Sequence, residues 1–369
     1  MLAALGLLLF VVALAQPLAS VVMQGGRFAT SDVGSGIGRL QDAGAWLLVP
    51  AVALTLVVLP LLKLMVVAAM AVAVRERRVP NLLRRAFAML PGLSQWAMVD
   101  VFLLGAMIAL FRLRDWMLVD YGPALFALGG AALCSVGIDV AMDRAAFWRA
   151  VPLREPSSGG AGGTWLGCHG CDLLVCGRPG ATCPRCRSKL HERKPRSAER
   201  TWALLAAAAL LLIPANVLPV MTVVQLGRGG TSTILSGSFE LAEAGLWGLA
   251  TLVFVASIVV PFGKLGALTL LLLSLRRAAG GMLPFRTRLF RGVALIGRWS
   301  MIDIFATMML AALARFGWLG NVRPEAGATA FCAVVLFTML ASEAFDPRLM
   351  WDAAGFNTPG PARPHEVPA

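Results

Sequence analysis

Cys168-His-Gly-Cys171 and, after eleven intervening residues, Cys183-Pro-Arg-Cys186 are the residues of this 369-residue chain whose types and spacing most clearly prescribe a chemistry. Two Cys-x2-Cys knuckles at this separation can bring four thiolates to the corners of a tetrahedron, the arrangement that Zn²⁺ selects. Four ligands fill the coordination sphere and leave no position for an activated water. The expected centre is therefore a structural zinc ribbon and not a hydrolytic site. Two alternatives use the same donors, a mononuclear iron electron-transfer centre and a redox-active dithiol, the latter disfavoured where the cytoplasm keeps thiols reduced. Cys176, His169 and His191 are spare donors, and Cys134 and Cys332 lie in apolar segments as small fillers. A second group is Lys63, Asp100, Lys264 and Asp303, charges inside apolar segments, where a lysine costs about 2.5 to 3.5 kcal/mol on insertion and is normally paired or faces a polar cavity. No P-loop, dinucleotide fingerprint, His-Glu-x-x-His pair or nucleophile elbow is present, so no catalytic constellation can be drawn and the chain is not expected to be an enzyme.

The elements that must position these residues follow from composition. Apolar residues make up 58% of the chain and charged residues 14%, against about 45 to 50% and about 25% in ordinary soluble domains. Reading for runs of about 20 apolar residues gives spans at 2–23, 45–73, 93–111 and 122–141, then 203–223, 244–274, 299–319 and 326–345, with a polar island between the halves from Arg144 to Arg200. The expected fold is an all-α polytopic membrane protein of eight spans. Residues 1–143 and 201–352 form two four-helix modules, 144–200 a small zinc-ribbon insert with flexible flanks at Gly159–Gly163, and 353–369 a disordered tail.

The net charge of +13 could mean nucleic acid or topology. Of the 33 Lys and Arg, 24 lie in loops after even-numbered spans, in the insert or in the tail; seven (Arg27, Arg39, Arg112, Arg114, Arg228, Arg315, Arg323) follow odd-numbered spans. The positive-inside rule then places both termini and the insert in the cytoplasm. That use of the charge leaves nothing to argue for nucleic acid. Leu2–Val12 followed by Ala13-Leu14-Ala15 resembles a secretory signal, but no Lys or Arg precedes it and it has an internal counterpart. Trp46, Trp116, Trp247 and Trp318 suit an interfacial belt.

That counterpart belongs to a repeat. At an offset of 201, Ser35, Gly36, Leu40, Ala43, Gly44, Trp46, Pro60, Lys63 and Leu64 meet identical residues, and at 203 Trp96–Phe102 meets Trp299–Phe305, Asp143 meets Asp346 and Trp148 meets Trp351. With an even number of spans per copy, the copies enter the membrane in the same sense. Lys63 lies 12 residues before Arg75, about 18 Å along a helix, a depth compatible with a contact to Asp100, and by the same count Lys264 with Asp303. These charges line a lipid path or proton-coupled gate, or they are ion pairs that fix helix packing, with Pro60 and Pro261 kinking the helix.

Two four-span copies, each with Ser-Gly…Ala-Gly-x-Trp, Pro-x-x-Lys-Leu and Trp-x-Met-(Val/Ile)-Asp-(Val/Ile)-Phe, and a four-cysteine ribbon ahead of the second, resemble the paraquat-inducible protein A family of bacterial inner-membrane proteins. The resemblance runs from Leu2 to Trp351. It implies partnership with a periplasmic protein of mammalian-cell-entry (MCE) domains, and movement of phospholipid between inner and outer membranes to maintain the envelope. In that family a four-cysteine ribbon usually precedes the first module as well. Here the chain opens in its first span, which points to a lost ribbon or a start upstream of Met1. The metal positions implied are Cys168, Cys171, Cys183 and Cys186. A membrane electron carrier and a non-transporting anchor for the MCE partner are the competing functions.

Overall fold

The structure is a computed structural model that describes residues 1–23, 26–42, 44–76, 78–114, 118–153, 164–225, 228–276, 282–313 and 320–355. The chain opens with α1 (Leu2–Ala15), a hairpin β1 (Ala19–Met23) and β2 (Gly26–Ser31), and α2 (Val33–Asp42). Then come α3 (Leu48–Arg75), α4 (Asn81–Trp96), α5 (Val99–Arg114), β3 (Leu118–Tyr121), α6 (Pro123–Ala141) and α7 (Arg144–Ala150). A small hairpin, β4 (Thr164–Gly167) and β5 (Leu174–Gly177), separates these from a second run in the same order. That run is α8 (Ser197–Val217), β6 (Met221–Gln225), β7 (Arg228–Ser232), α9 (Ile234–Glu243), α10 (Trp247–Leu275), α11 (Leu283–Ile296), α12 (Ile302–Leu313), β8 (Gly320–Pro324), α13 (Ala326–Ala344) and α14 (Arg348–Ala353).

Among the described residues seven helical stretches are long and apolar enough to cross a membrane: α3, α4 with α5, α6, α8, α10, α11 with α12, and α13. The expectation of eight meets a shorter first helix. Leu2–Ala15 has 14 residues, about 21 Å of helix against a hydrocarbon core of about 30 Å. Its expected span ran to residue 23, but Pro17 offers no amide to continue the helix, and Ala19–Met23 is a strand. The same correction applies at 203–223, where the helix ends at Val217 and Met221–Gln225 pairs in a sheet. The fold is therefore mostly helical but not all-α. It carries antiparallel three-stranded sheets in the orders β2-β1-β3 and β7-β6-β8. The expected third spans at 93–111 and 299–319 were each entered late, since a further helix, α4 or α11, leads into them.

The residues shared by the two runs hold turns and contacts. Ser35 donates to the Asp32 carbonyl and its amide bonds the Asp32 carboxylate, while Thr233 and Ser236 form a reciprocal capping box, so each serine starts its helix. Gly44 and Gly245 sit at φ 76° and 79° just past those helices, a left-handed turn that only glycine adopts at no cost. Asp143 accepts from the Ala145 and Ala146 amides and Asp346 from the Arg348 amide, capping α7 and leading into α14. Phe102 and Phe305, equivalent in the repeat, pack edge to face at 5.6 Å and 85° where α5 meets α12. Gly105 allows that approach, since a Cβ there would lie 2.8 Å from the Ile302 carbonyl oxygen. Trp46 and Trp247 are exposed, as a belt requires; Trp116 and Trp318 lie outside the described residues, as do Gly159–Gly163 and the tail from 356.

Pro60 does more than bend its helix. Just before it, Ala53–Val58 widens into a π-helix in which the Leu59 amide bonds Leu54 O, so the next acceptor, Thr55 O, faces a proline nitrogen with no hydrogen. The Met98 amide, at the break between α4 and α5, fills that acceptor at 3.1 Å. A second tight crossing lies between the first hairpin and α6. A Cβ on Gly122 would stand 2.0 Å from Pro17 O, and one on Gly327 would stand 2.5 Å from Pro219 O. Gly122→Ala must push two backbones apart, so it should cost about 1 to 3 kcal/mol. Thermal unfolding in detergent reads that as a lower midpoint; an unchanged midpoint would refute the crossing.

Candidate metal centre and intramembrane lysines

The four cysteines are presented by two knuckles of one geometry. The first closes the β4–β5 hairpin, with the Cys168 amide on Leu173 O at 2.9 Å and the Asp172 amide on Cys168 O at 2.9 Å. The second repeats it, with the Cys183 amide on Ser188 O at 2.8 Å and the Arg187 amide on Cys183 O at 3.0 Å. Asp172 and Arg187, each directly after its second cysteine, take φ of 55° and 64°, which turns the chain so that both sulfurs of a knuckle point inward. Cys168 Sγ lies 3.3 Å from Cys186 Sγ and Cys171 Sγ 3.6 Å from Cys183 Sγ, and all four lie within 4.8 Å of one another. A tetrahedral metal with sulfur ligands at about 2.3 Å has edges of about 3.8 Å, so the donor set fits one. All four are buried. Hydrogen bonding among the crowded sulfurs, from Cys168 first, pulls the Cys186 thiol down to about 6 and holds Cys183 lower still, while Cys171 is pushed up. Cys176, His169 and His191 stand outside the cluster.

The cluster is seated on the helices, not suspended between them. Gly170, inside the first knuckle, packs on α4: a Cβ there would lie 2.8 Å from Ala88 Cβ. Arg144 bonds Gly170 O at 3.3 Å and stacks its guanidinium 5.9 Å above Phe87, which packs on Trp148 at 5.3 Å. On the far side the segment leading to α8 is tied to the second run. Arg193 holds Asp352 through two bonds of 2.6 and 2.7 Å, the Lys194 amide bonds Asp346, and Ser197 bonds Ala344 O at 2.7 Å. Arg144 on one side of the knuckles and Arg193, Lys194 and Ser197 on the other are thus anchored, while the expected flexible tether at Gly159–Gly163 lies outside the described residues.

Lys63 is 2% exposed, and its ammonium bonds Asp139 Oδ2 at 2.7 Å and Ser135 Oγ at 2.8 Å. The expected contact with Asp100 is not its ion pair. Asp100 instead lines the same small cavity, of about 40 Å³, with Lys63, Ser94, Ser135 and Asp139. Lys63 and Asp100 thus share the depth that the residue count gives them, but the ion pair goes to α6: α3 has 28 residues and α6 only 19, so Lys63, far from the end of α3, stands beside residues near the end of α6. Asp139 was visible in the sequence as the one carboxylate of span 122–141 and was passed over. Lys264 is also 2% exposed, and it bonds Gly297 O at 2.8 Å and Thr338 Oγ1 at 3.4 Å. Thr338 is the repeat counterpart of Ser135, and the counterpart of Asp139 is Ser342. The Asp303 side chain lies outside the described residues.

Comparison with known proteins decides the family. The paraquat-inducible protein A family matches residues 1–152 and 198–355, leaving out the part that carries the cysteines. The chain belongs to the paraquat-inducible protein A family. It is 32% identical over 266 residues to intermembrane transport protein PqiA of Escherichia coli (strain K12), covering 70% of this chain and 64% of that one. It is 32% identical over 271 residues to lipophilic envelope-spanning tunnel protein A of the same organism, covering 73% and 63%. A probable intermembrane transport protein of Haemophilus influenzae is 28% identical over 266 residues. The chain thus spans just under two thirds of the length of these relatives. No solved structure matches it. With its apolar helices, this family member is a multi-pass membrane protein.

Proposed function

We propose that the protein is the inner-membrane component of an intermembrane lipid-transport system, passing phospholipid to or from a periplasmic MCE-domain partner and so supporting the envelope. The observation that carries this reading is membership of a family whose relatives are named for intermembrane transport and an envelope-spanning tunnel. In this reading Leu2–Ala15 completes eight spans in two parallel four-helix modules, and the Arg-rich side, with both termini and the insert, is cytoplasmic. Cys168, Cys171, Cys183 and Cys186 hold a structural Zn²⁺. Lys63, Asp100, Lys264 and Asp303 belong to the lipid path or its proton coupling, and the chain carries no catalytic chemistry of its own.

An MCE-domain protein from the same cells should co-purify with the chain, and native mass spectrometry should show bound glycerophospholipid. Isolation without either would overturn the reading. Four buried thiols also suit iron. A coloured protein with measurable iron would favour the electron carrier, and a colourless zinc protein removes it.

A further inference from the structure

The two runs differ at the Arg-rich ends of their later helices. Phe87 and Phe290 are repeat counterparts, as are Arg85 and Arg288, which aligns α4 with α11. In the first run the place beside Phe87 is filled: Ala88 lies under Gly170 of the knuckle, and the polar pocket lined by the Lys63–Asp139 pair holds only about 40 Å³. In the second run the same place is a cleft of about 520 Å³, within the range of about 300 to 1,000 Å³ of small-molecule sites. One exchange adds a cation, Arg291 standing where the first run has Ala88. The carboxylate shifts by one position, Ser342 taking the place of Asp139 and Glu343 that of Val140. Lys194, whose side chain bonds Glu343 O, adds a second cation, an ammonium with donors to spare. Glu343 also lines the cleft, with its carboxylate engaged by the Trp96 indole N–H. The walls are apolar, Phe290, Met339 and Phe345, and at the lip Leu295 is 71% exposed. A soluble anion needs no such lip; an amphiphile does. Gly297 lines the cleft as well, and its carbonyl is the acceptor for buried Lys264.

We propose that this cleft seats the headgroup of an anionic glycerophospholipid, its phosphate on Arg291 and Lys194 and its acyl chains leaving over Leu295 into the surrounding bilayer. The assignment rests on the lipid-transport reading and its orientation, and makes the second run the side on which lipid of the Arg-rich leaflet engages the protein. The first run, capped by its knuckle and neutralised by Asp139, takes no such ligand.

The test uses full-length protein stripped of lipid in detergent and titrated with dioleoylphosphatidylglycerol or, in parallel, dioleoylphosphatidylcholine, with adducts counted by native mass spectrometry. Arg291→Glu should weaken phosphatidylglycerol binding about tenfold or more and leave phosphatidylcholine little changed, and Arg291→Lys should keep most of the affinity. Ser342→Asp, which installs the first run's carboxylate, should act in the same direction as Arg291→Glu. A photoreactive residue at position 295 should crosslink to phosphatidylglycerol, and one at position 92, its repeat counterpart, should not. Unchanged binding in both variants, or equal crosslinking at the two positions, overturns the proposal. Arg291-dependent binding in a protein that engages no MCE partner would sink the functional reading and leave the cleft. A partner with normal lipid transfer and Arg291-independent binding would do the reverse.

Discussion

Cys183→Ser should leave the chain without its metal and unfold the insert outright. Three of four thiolates cannot close a tetrahedral site, and metal binding in small four-ligand units is worth about 10 to 16 kcal/mol, more than the insert's remaining packing could replace. Apart from the cysteines, the buried apolar residues of its described part from Thr164 to Leu190 are Leu166 and Leu190. The loss should stay local. The knuckle would lift from Ala88 and Arg144, and the backbone at Arg178, Arg185, Arg187 and Lys189, no longer held in its turns, would become extensible enough for trypsin while the helix content of the spans persists. Elemental analysis of wild type should give one metal per chain and of the variant none, and limited proteolysis should cut only the variant or the chelated wild type. A metal-free wild type that resists trypsin would refute the centre.

Asp139→Asn should be the most damaging single change inside the spans. It leaves the Lys63 ammonium, 2% exposed, with a neutral amide in place of a carboxylate at 2.7 Å. Removing one partner of a buried pair costs about 3 to 5 kcal/mol. Asp139 itself is 47% exposed, so its own desolvation in the folded protein is partial and the lower end, about 3 kcal/mol, is expected. Lys63→Met with Asp139→Asn removes both charges and should recover most of the stability. Midpoints of thermal unfolding for the single and double variants check this. A single variant as stable as wild type would mean the pair contributes nothing. The double variant also separates the roles left open by the sequence: restored stability with normal lipid transfer makes the pair a packing device, whereas restored stability with lost transfer makes it part of the path.

The cysteine cluster was legible because its determinants are local: two residues between the cysteines of each knuckle, and a tight turn after each, reproduce the geometry from sequence alone. The spans were legible where they end in charge, as α3 does at Arg75. Their ends were misjudged where apolar residues carry on into a strand. Val21 and Val22 in β1, and Val223 and Val224 in β6, keep a hydropathy window high while pairing as strands, and β-branched residues suit both environments. Hydropathy measures how apolar a stretch is and not which hydrogen bonds it makes.

What the sequence determined by itself is therefore the chemistry of short range and the repeat: four thiols gathered in one cluster, lysines held inside apolar helices, and two runs of the same elements. Tertiary structure alone decided which groups meet. Lys63 pairs with Asp139 because α3 outreaches α6, and helix heights depend on packing between distant segments. The knuckle sits on Ala88 and not on Arg291, and that choice fills the place beside Phe87 and leaves the one beside Phe290 open. A repeat makes such sites equal in sequence space; only the docking of one insert between two similar surfaces, an event of long-range packing, makes them different.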